Sequence, residues 1–142
     1  MAIELHEEWI ERLAEAALAA RAHAYCPYSG FAVGAALLAG SGRVYTGVNI
    51  ENAAFGPTNC AERTAFFKAV SEGERGFTAI AVAGGRAGEA PAAFCAPCGV
   101  CRQVMREFCR DDFKIILAKP GAVKVYTLSE LLPESFSPEN LQ

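Results

Sequence analysis

The chain has 142 residues, of which 52% are apolar and 20% charged, and its formal net charge is −3. That length suits one domain over residues 1–142 with a core of its own, and the high apolar share suits a protein that hides some surface in an oligomer. A weakly acidic chain without a basic patch argues against nucleic acid as a partner and points to a small neutral or cationic substrate.

Residues 4–22 read as an amphipathic helix, because Leu5, Trp9, Leu13, Ala16 and Ala20 recur at helical spacing between Glu and Arg residues. Pro27 and Gly30 end that region. The apolar run 31–38, the turn Gly40-Ser41-Gly42 and the alternating run 43–49 read as a β-hairpin. A loop over 51–59 follows, and Asn59 is placed to cap a helix over 60–70 that stops near Gly73. Residues 77–83 read as a buried strand, 84–96 as a Gly/Ala/Pro-rich loop, 98–108 as a second core helix and 114–118 as a fourth strand. Pro120-Gly121 marks a turn before a fifth strand over 123–127, and 128–132 reads as a short helical turn. A connection that short cannot make a parallel crossover, so the last two strands should pair antiparallel. The order predicts an α/β fold: a three-layer α/β/α sandwich around a five-stranded mixed sheet.

Six cysteines raise the question of compartment. The chain opens with Glu4, Glu7, Glu8 and Glu11 and shows no signal-peptide pattern and no membrane span. A reducing, cytoplasmic setting is expected, and there clustered cysteines usually hold metal.

The clustering is informative. Cys60-Ala61-Glu62-Arg63 is followed downstream by Pro97-Cys98-Gly99-Val100-Cys101-Arg102-Gln103. Three cysteine ligands leave one zinc position open, as catalytic sites do, whereas structural sites close with four. Glu62, two residues beyond the first ligand, can reach a water in the open position without binding metal. Zinc-dependent deaminases use this pattern, with the glutamate moving protons. Both ligand segments fall at predicted helix starts, where the dipole and free N–H groups favour thiolates. Arg63 is a candidate donor to a ligand sulfur, against the plainer role of a surface helix arginine. Cys95 opens a second Cys-x-x-Cys with Cys98. Were it a fourth ligand the site would be closed, and Glu62 would have no purpose. An iron–sulfur reading fails because the next ligand position is Met105. Cys26 and Cys109 read as small buried hydrophobes. His6 and His23 read as solvated or capping.

Over residues 25–136 the chain resembles the cytidine deaminases of the small homotetrameric class. Five segments carry the resemblance in order: Tyr25-Cys26-Pro27-Tyr28-Ser29-Gly30-Phe31, Val33-Gly34-Ala35-Ala36-Leu37, Asn49-Ile50-Glu51-Asn52, Cys60-Ala61-Glu62-Arg63-Thr64-Ala65 and the Pro97 to Gln103 segment. The resemblance implies one Zn²⁺ per chain on Cys60, Cys98 and Cys101, with Glu62 as proton shuttle. It implies that Asn49 and Glu51 hold the sugar hydroxyls, chiefly the 3′-OH, that Phe31 packs on the pyrimidine and that the Ala61 backbone holds the base. It also implies that Phe136 reaches a neighbouring subunit's pocket, so that a homotetramer shares its sites. Two positions depart from the family: Ala32 stands where Pro is common, and Phe55 where Tyr often occurs.

The implied reaction is hydrolytic deamination of cytidine and 2′-deoxycytidine. Three rivals remain. A blasticidin-type deaminase shares the cysteine segments, but it does not call for the sugar-binding Asn49-Ile50-Glu51-Asn52. A polynucleotide-editing deaminase would carry a His ligand, basic patches and a longer last crossover. A non-enzymatic zinc protein would leave Glu62 unexplained. Ammonia release tested on cytidine, deoxycytidine, cytosine and adenosine separates them.

Overall fold

The computed structural model describes residues 4–142. In chain order it runs through helix α1 (Glu7–Ala20), a short 3-10 turn (Arg21–His23), strands β1 (Phe31–Ala39) and β2 (Val44–Val48), helix α2 (Ala61–Ser71) and strand β3 (Phe77–Arg86). Helix α3 (Gly99–Phe108), strands β4 (Lys114–Lys119) and β5 (Ala122–Thr127), helix α4 (Leu128–Leu131) and a final 3-10 turn (Pro138–Leu141) complete it. The five strands form one sheet in the order β2-β1-β3-β4-β5. Strand β1 pairs antiparallel with both β2 and β3. β3 and β4, joined through α3, are parallel, and β4 and β5 are antiparallel across their tight turn.

Two apolar layers flank the sheet. On one face α1 presents Leu13, Ala14 and Ala17 to Ala36, Leu38, Ala79, Ala81, Ile116 and Ala118. On the other, α2, α3 and α4 cover Ala35, Leu37, Ile80, Val82, Ile115 and Leu117. Phe66 anchors the second layer, with its ring 5.0 Å from Phe77 and 6.0 Å from Phe113. Aromatic pairs at such distances add to the area they bury.

The alanine-rich layers permit unusually close approach. A Cβ on Gly34 would lie 2.1 Å from the Ala17 carbonyl oxygen, and one on Gly47 would lie 2.3 Å from the Ala61 carbonyl oxygen and 2.6 Å from the Ala65 nitrogen. Helix α2 therefore rests with its backbone on β2, at the turn that carries Glu62. On the other face Arg21 acts as a clip. It donates through Nε to the Ala32 carbonyl at 2.8 Å, and through its two terminal nitrogens to the Glu89 and Arg86 carbonyls, each at 3.0 Å.

The structure corrects three expectations. Helix α1 begins at Glu7 rather than residue 4, with His6 as its N-terminal flank. The N-cap of α2 is Cys60, without a side-chain cap bond, and the Asn59 amide instead donates to the Thr64 hydroxyl at 3.1 Å. Strand β3 runs on through Gly84, Gly85 and Arg86, because its partner β1 extends the ladder to Phe31 opposite Arg86.

Gly47→Ala should destabilise the protein by about 1–3 kcal/mol in urea unfolding, since the added methyl meets backbone that cannot swing aside. Its metal content should fall as well. Gly76→Ala meets nothing within 4 Å and should match the parent within about 0.5 kcal/mol.

Candidate active site

Two helix starts on the same face of the sheet bring the cysteines together. Cys60 is the N-cap of α2 and Cys98 the N-cap of α3, both with extended backbone. Cys101 lies in the first turn of α3 and is 1% exposed. The Sγ atoms of Cys60 and Cys98 are 3.9 Å apart, those of Cys98 and Cys101 are 3.5 Å apart, and all three lie within 4.8 Å of one another. Zinc–sulfur bonds of about 2.3 Å at tetrahedral angles would set the sulfurs roughly 3.8 Å apart. The spacing fits a metal and excludes disulfides, and all six cysteines are free.

Charge supports the same conclusion. Two thiolates 3.5 Å apart repel by about 5 kcal/mol at an effective dielectric of 20, more than three pKa units for either sulfur. Without a cation the negative charge therefore collects on one sulfur. Cys60 is that sulfur. Its pKa is held down at about 5, chiefly by the neighbouring Cys101 thiol and then by the Arg63 hydrogen bond and charge. Cys101 is pushed up, by the neighbouring Cys60 sulfur first and by burial second. Only a bound cation lets all three ionise, which suits a divalent metal. The helix ends add N–H groups and positive dipole at two of the sulfurs.

Glu62, in the first turn of α2, is 4% exposed and is one of the few buried charged groups among the described residues. Burial, and then the negative charge of Cys60, raises its carboxyl to about 7. It is not part of the three-sulfur group. A carboxyl that titrates near neutrality can both accept and return a proton. Arg63 donates to the Cys60 sulfur at 3.3 Å, while its Nε is buried without a partner. Ala61, between them, is fully buried.

Asn49 and Glu51 lie just beyond β2 and reach back across the rim. The Asn49 carboxamide accepts from the Val33 N–H at 2.9 Å and donates to the Phe31 carbonyl at 2.7 Å. Glu51 accepts the N–H groups of Tyr28 and Ser29 at 2.9 and 3.1 Å and the Ser29 hydroxyl at 2.5 Å. The Ser29 hydroxyl, followed by those backbone bonds, keeps this carboxyl below its ordinary range. Glu51 is thus a carboxylate with lone pairs to spare for a hydroxyl donor. Phe31 starts β1 with 41% of its surface exposed, and Phe136 is 59% exposed. The tail is tied down by Gln103, which donates to the Phe136 carbonyl at 2.9 Å, leaving the ring turned to solvent.

The structure adds residues that sequence reasoning did not assign. Ser29 completes the Glu51 carboxylate, and Gly84 lies beneath both the Phe31 ring edge and the Cys95 side chain. Cys95 stands outside the metal group and is pushed up to about 11 by burial first and then by the charges of Glu62 and Cys60. It is a neutral thiol within range of both. The Gly84-Gly85 pair inside a strand was the available signal, since such glycines mark close approach.

Residues 7–117 match the cytidine and deoxycytidylate deaminase zinc-binding region. The chain is 50% identical over 133 residues to a cytidine deaminase of Sporosarcina psychrophila, covering 93% of this chain and 94% of that protein. It is 51% identical over 132 residues to a cytidine deaminase of Halalkalibacterium halodurans, covering 92% and 96%. The crystal structure of cytidine deaminase from Burkholderia pseudomallei superposes with a TM-score of 0.81 at 47% identity, covering 89% of this chain and 98% of that one.

Cys95→Ser should keep one zinc per chain by elemental analysis, whereas Cys98→Ser and Cys101→Ser should each lose most of it. Equal loss from Cys95→Ser and Cys101→Ser would mean a closed, four-sulfur site.

Proposed function

This chain belongs to the cytidine and deoxycytidylate deaminase family, and on that premise we propose that it hydrolyses cytidine and 2′-deoxycytidine to the uridines with release of ammonia, a step of pyrimidine salvage. The observation that carries this reading is a buried carboxyl, Glu62, beside three sulfurs spaced for one zinc and not itself among them. Cys60, Cys98 and Cys101 would hold Zn²⁺, which when bound lowers the pKa of a coordinated water toward neutrality.

This chain's residues account for the rest. Glu62 accepts a proton from the attacking water and gives it to ring N3 as the oxygen joins C4. It then takes the proton of the new C4 hydroxyl and passes it to the amino nitrogen, the C4–N bond breaks as the C4 carbonyl forms, and ammonia leaves. Three thiolates would blunt the metal's pull on the water. Arg63 and the two helix starts draw charge from the sulfurs and restore it. Phe31 offers a ring face to the pyrimidine, and the Ala61 backbone holds the base edge. Asn49 and Glu51 take the sugar hydroxyls, with the Glu51 carboxylate as acceptor for the 3′-OH. The arrangement suits a nucleoside.

We further infer a homotetramer with shared sites. Exposed Tyr25, Tyr28, Phe31, Phe55 and Phe136 supply the apolar surface that such contacts cover, with Phe136 reaching a neighbouring chain's pocket. No helix of the described residues is long and apolar enough to cross a membrane. The six free cysteines suit the cytoplasm, where thiols stay reduced.

Glu62→Gln should keep its zinc and its fold while kcat falls by about a thousandfold or more. Loss of metal, or turnover within about tenfold of the parent, would remove the shuttle role. For the shared site, Glu62→Gln chains mixed with chains truncated before Phe136, each inactive alone, should regain activity once subunits exchange. A monomer mass by light scattering together with full activity would rule the arrangement out.

A further inference from the structure

The Phe31 ring rests on a specific support. A Cβ built on Gly84 would lie 2.8 Å from the Cys95 Sγ, 3.0 Å from the Cys95 Cβ and 2.9 Å from the Phe31 Cε2. The thiol and the ring edge thus converge on one point above a bare α-carbon. Gly84 and Phe31 face the same side of the sheet as Ile80, Val82, Ala35 and Leu37, the side covered by α2. This is also the side of the three sulfurs.

Cys95 has no other evident role. It is outside the group of sulfurs that can hold metal, it is unpaired, and its nearest hydrogen-bonding neighbour is the Ala96 carbonyl at 4.0 Å, too long to matter. What it contributes is bulk over Gly84, where the Phe31 ring edge also arrives. The segment ahead of it is also held: Arg21 grips the Arg86 and Glu89 carbonyls, and the Pro91 Cα would lie 3.0 Å from a Cβ on Gly85.

We propose that Cys95, seated on Gly84, is a positioning residue that sets the plane of the Phe31 ring and thereby how firmly that ring holds the pyrimidine. The inference rests on the reading of Phe31 as the base-contacting ring. A ring edge and a γ atom that approach the same bare α-carbon compete for one space, and close packing transmits the loss of a single atom. The energetic signature is in substrate binding rather than proton transfer, because Cys95 stands outside the metal group and acts through the ring.

The test uses the zinc-loaded enzyme, with cytidine kinetics, uridine affinity by calorimetry and zinc content measured on each variant. Cys95→Ala should raise KM for cytidine and weaken uridine binding roughly tenfold, the scale of one lost apolar contact in a pocket. kcat should stay within about twofold and zinc at one per chain. Cys95→Val, whose γ carbon takes the place of Sγ, should recover most of the affinity. Gly84→Ala, which pushes on the same two groups from beneath, should raise KM in the same way and keeps the question answerable if the first variant folds poorly. Combined with Phe31→Ala, Cys95→Ala should add nothing further. Additive losses, an unchanged KM in Cys95→Ala, or loss of zinc would overturn the positioning role while leaving the Phe31 reading intact. An unchanged KM in Phe31→Ala would instead overturn the reading on which it rests.

Discussion

Three sulfurs cannot all carry charge within 4.8 Å of one another unless something positive joins them. That constraint accounts for much of the site. It explains why Cys60 and Cys98 are both N-caps, where the backbone offers positive dipole. It explains why Arg63 spends a guanidinium on a sulfur rather than on a carboxylate. It also bears on Glu62. A buried carboxyl beside a charged thiolate resists ionising, and the same burial that threatens stability gives the group a pKa suited to moving protons. The fold meets this demand by ending two loops at one place, so that two helices start side by side over the sheet.

Around that centre the packing is made of small residues. Ala17 over Gly34 and Ala61 over Gly47 bring helix backbones onto strand backbones. Larger side chains on either surface would fill the same space with more buried area, yet would lift the helices away from the sheet. For α2 that would move Cys60 and Glu62 together relative to Cys98 and Cys101, which ride on a different helix. The alanine content, unremarkable as composition, thus fixes the relative height of two halves of one site. The large aromatics, Phe66, Phe77, Phe108 and Phe113, are kept at the far end of the same layer, where bulk costs nothing in geometry.

Much of this was legible in the sequence, and the reasons are local. The ligand spacing and the glutamate two positions beyond Cys60 are chemistry written in consecutive residues. The strand of residues 31–38 announced itself as an apolar run, and the Pro120-Gly121 turn fixed how β4 and β5 must pair. Asn59 looked like a cap because its type favours caps. The structure gives the cap position to Cys60, since the helix must begin where the sulfur is needed. Gly84 and Gly85 looked like the start of a loop because glycine weakens strands. Their place in β3 depends on β1 alongside, which no local pattern reveals. The relation of Phe31 to Cys95 is invisible for the same reason: 64 positions separate them in the chain, and only the pairing of β1 with β3 closes that distance.

Arg21 has a bearing on metal affinity even though it lies on the opposite side of the sheet. The stretch between β3 and α3 is rich in Gly, Ala and Pro, and a free stretch of that composition would let Cys98 and Cys101 wander relative to Cys60. By holding the Arg86 and Glu89 carbonyls, Arg21 shortens the tether ahead of Cys98 to residues 90–97. Loop-closure entropy grows with the length of free chain. A shorter tether therefore raises the effective concentration of the second pair of sulfurs at the first. The chelate effect at the metal is in part set by a side chain that never meets it, and the N-terminal helix becomes a contributor to how firmly the ion is held.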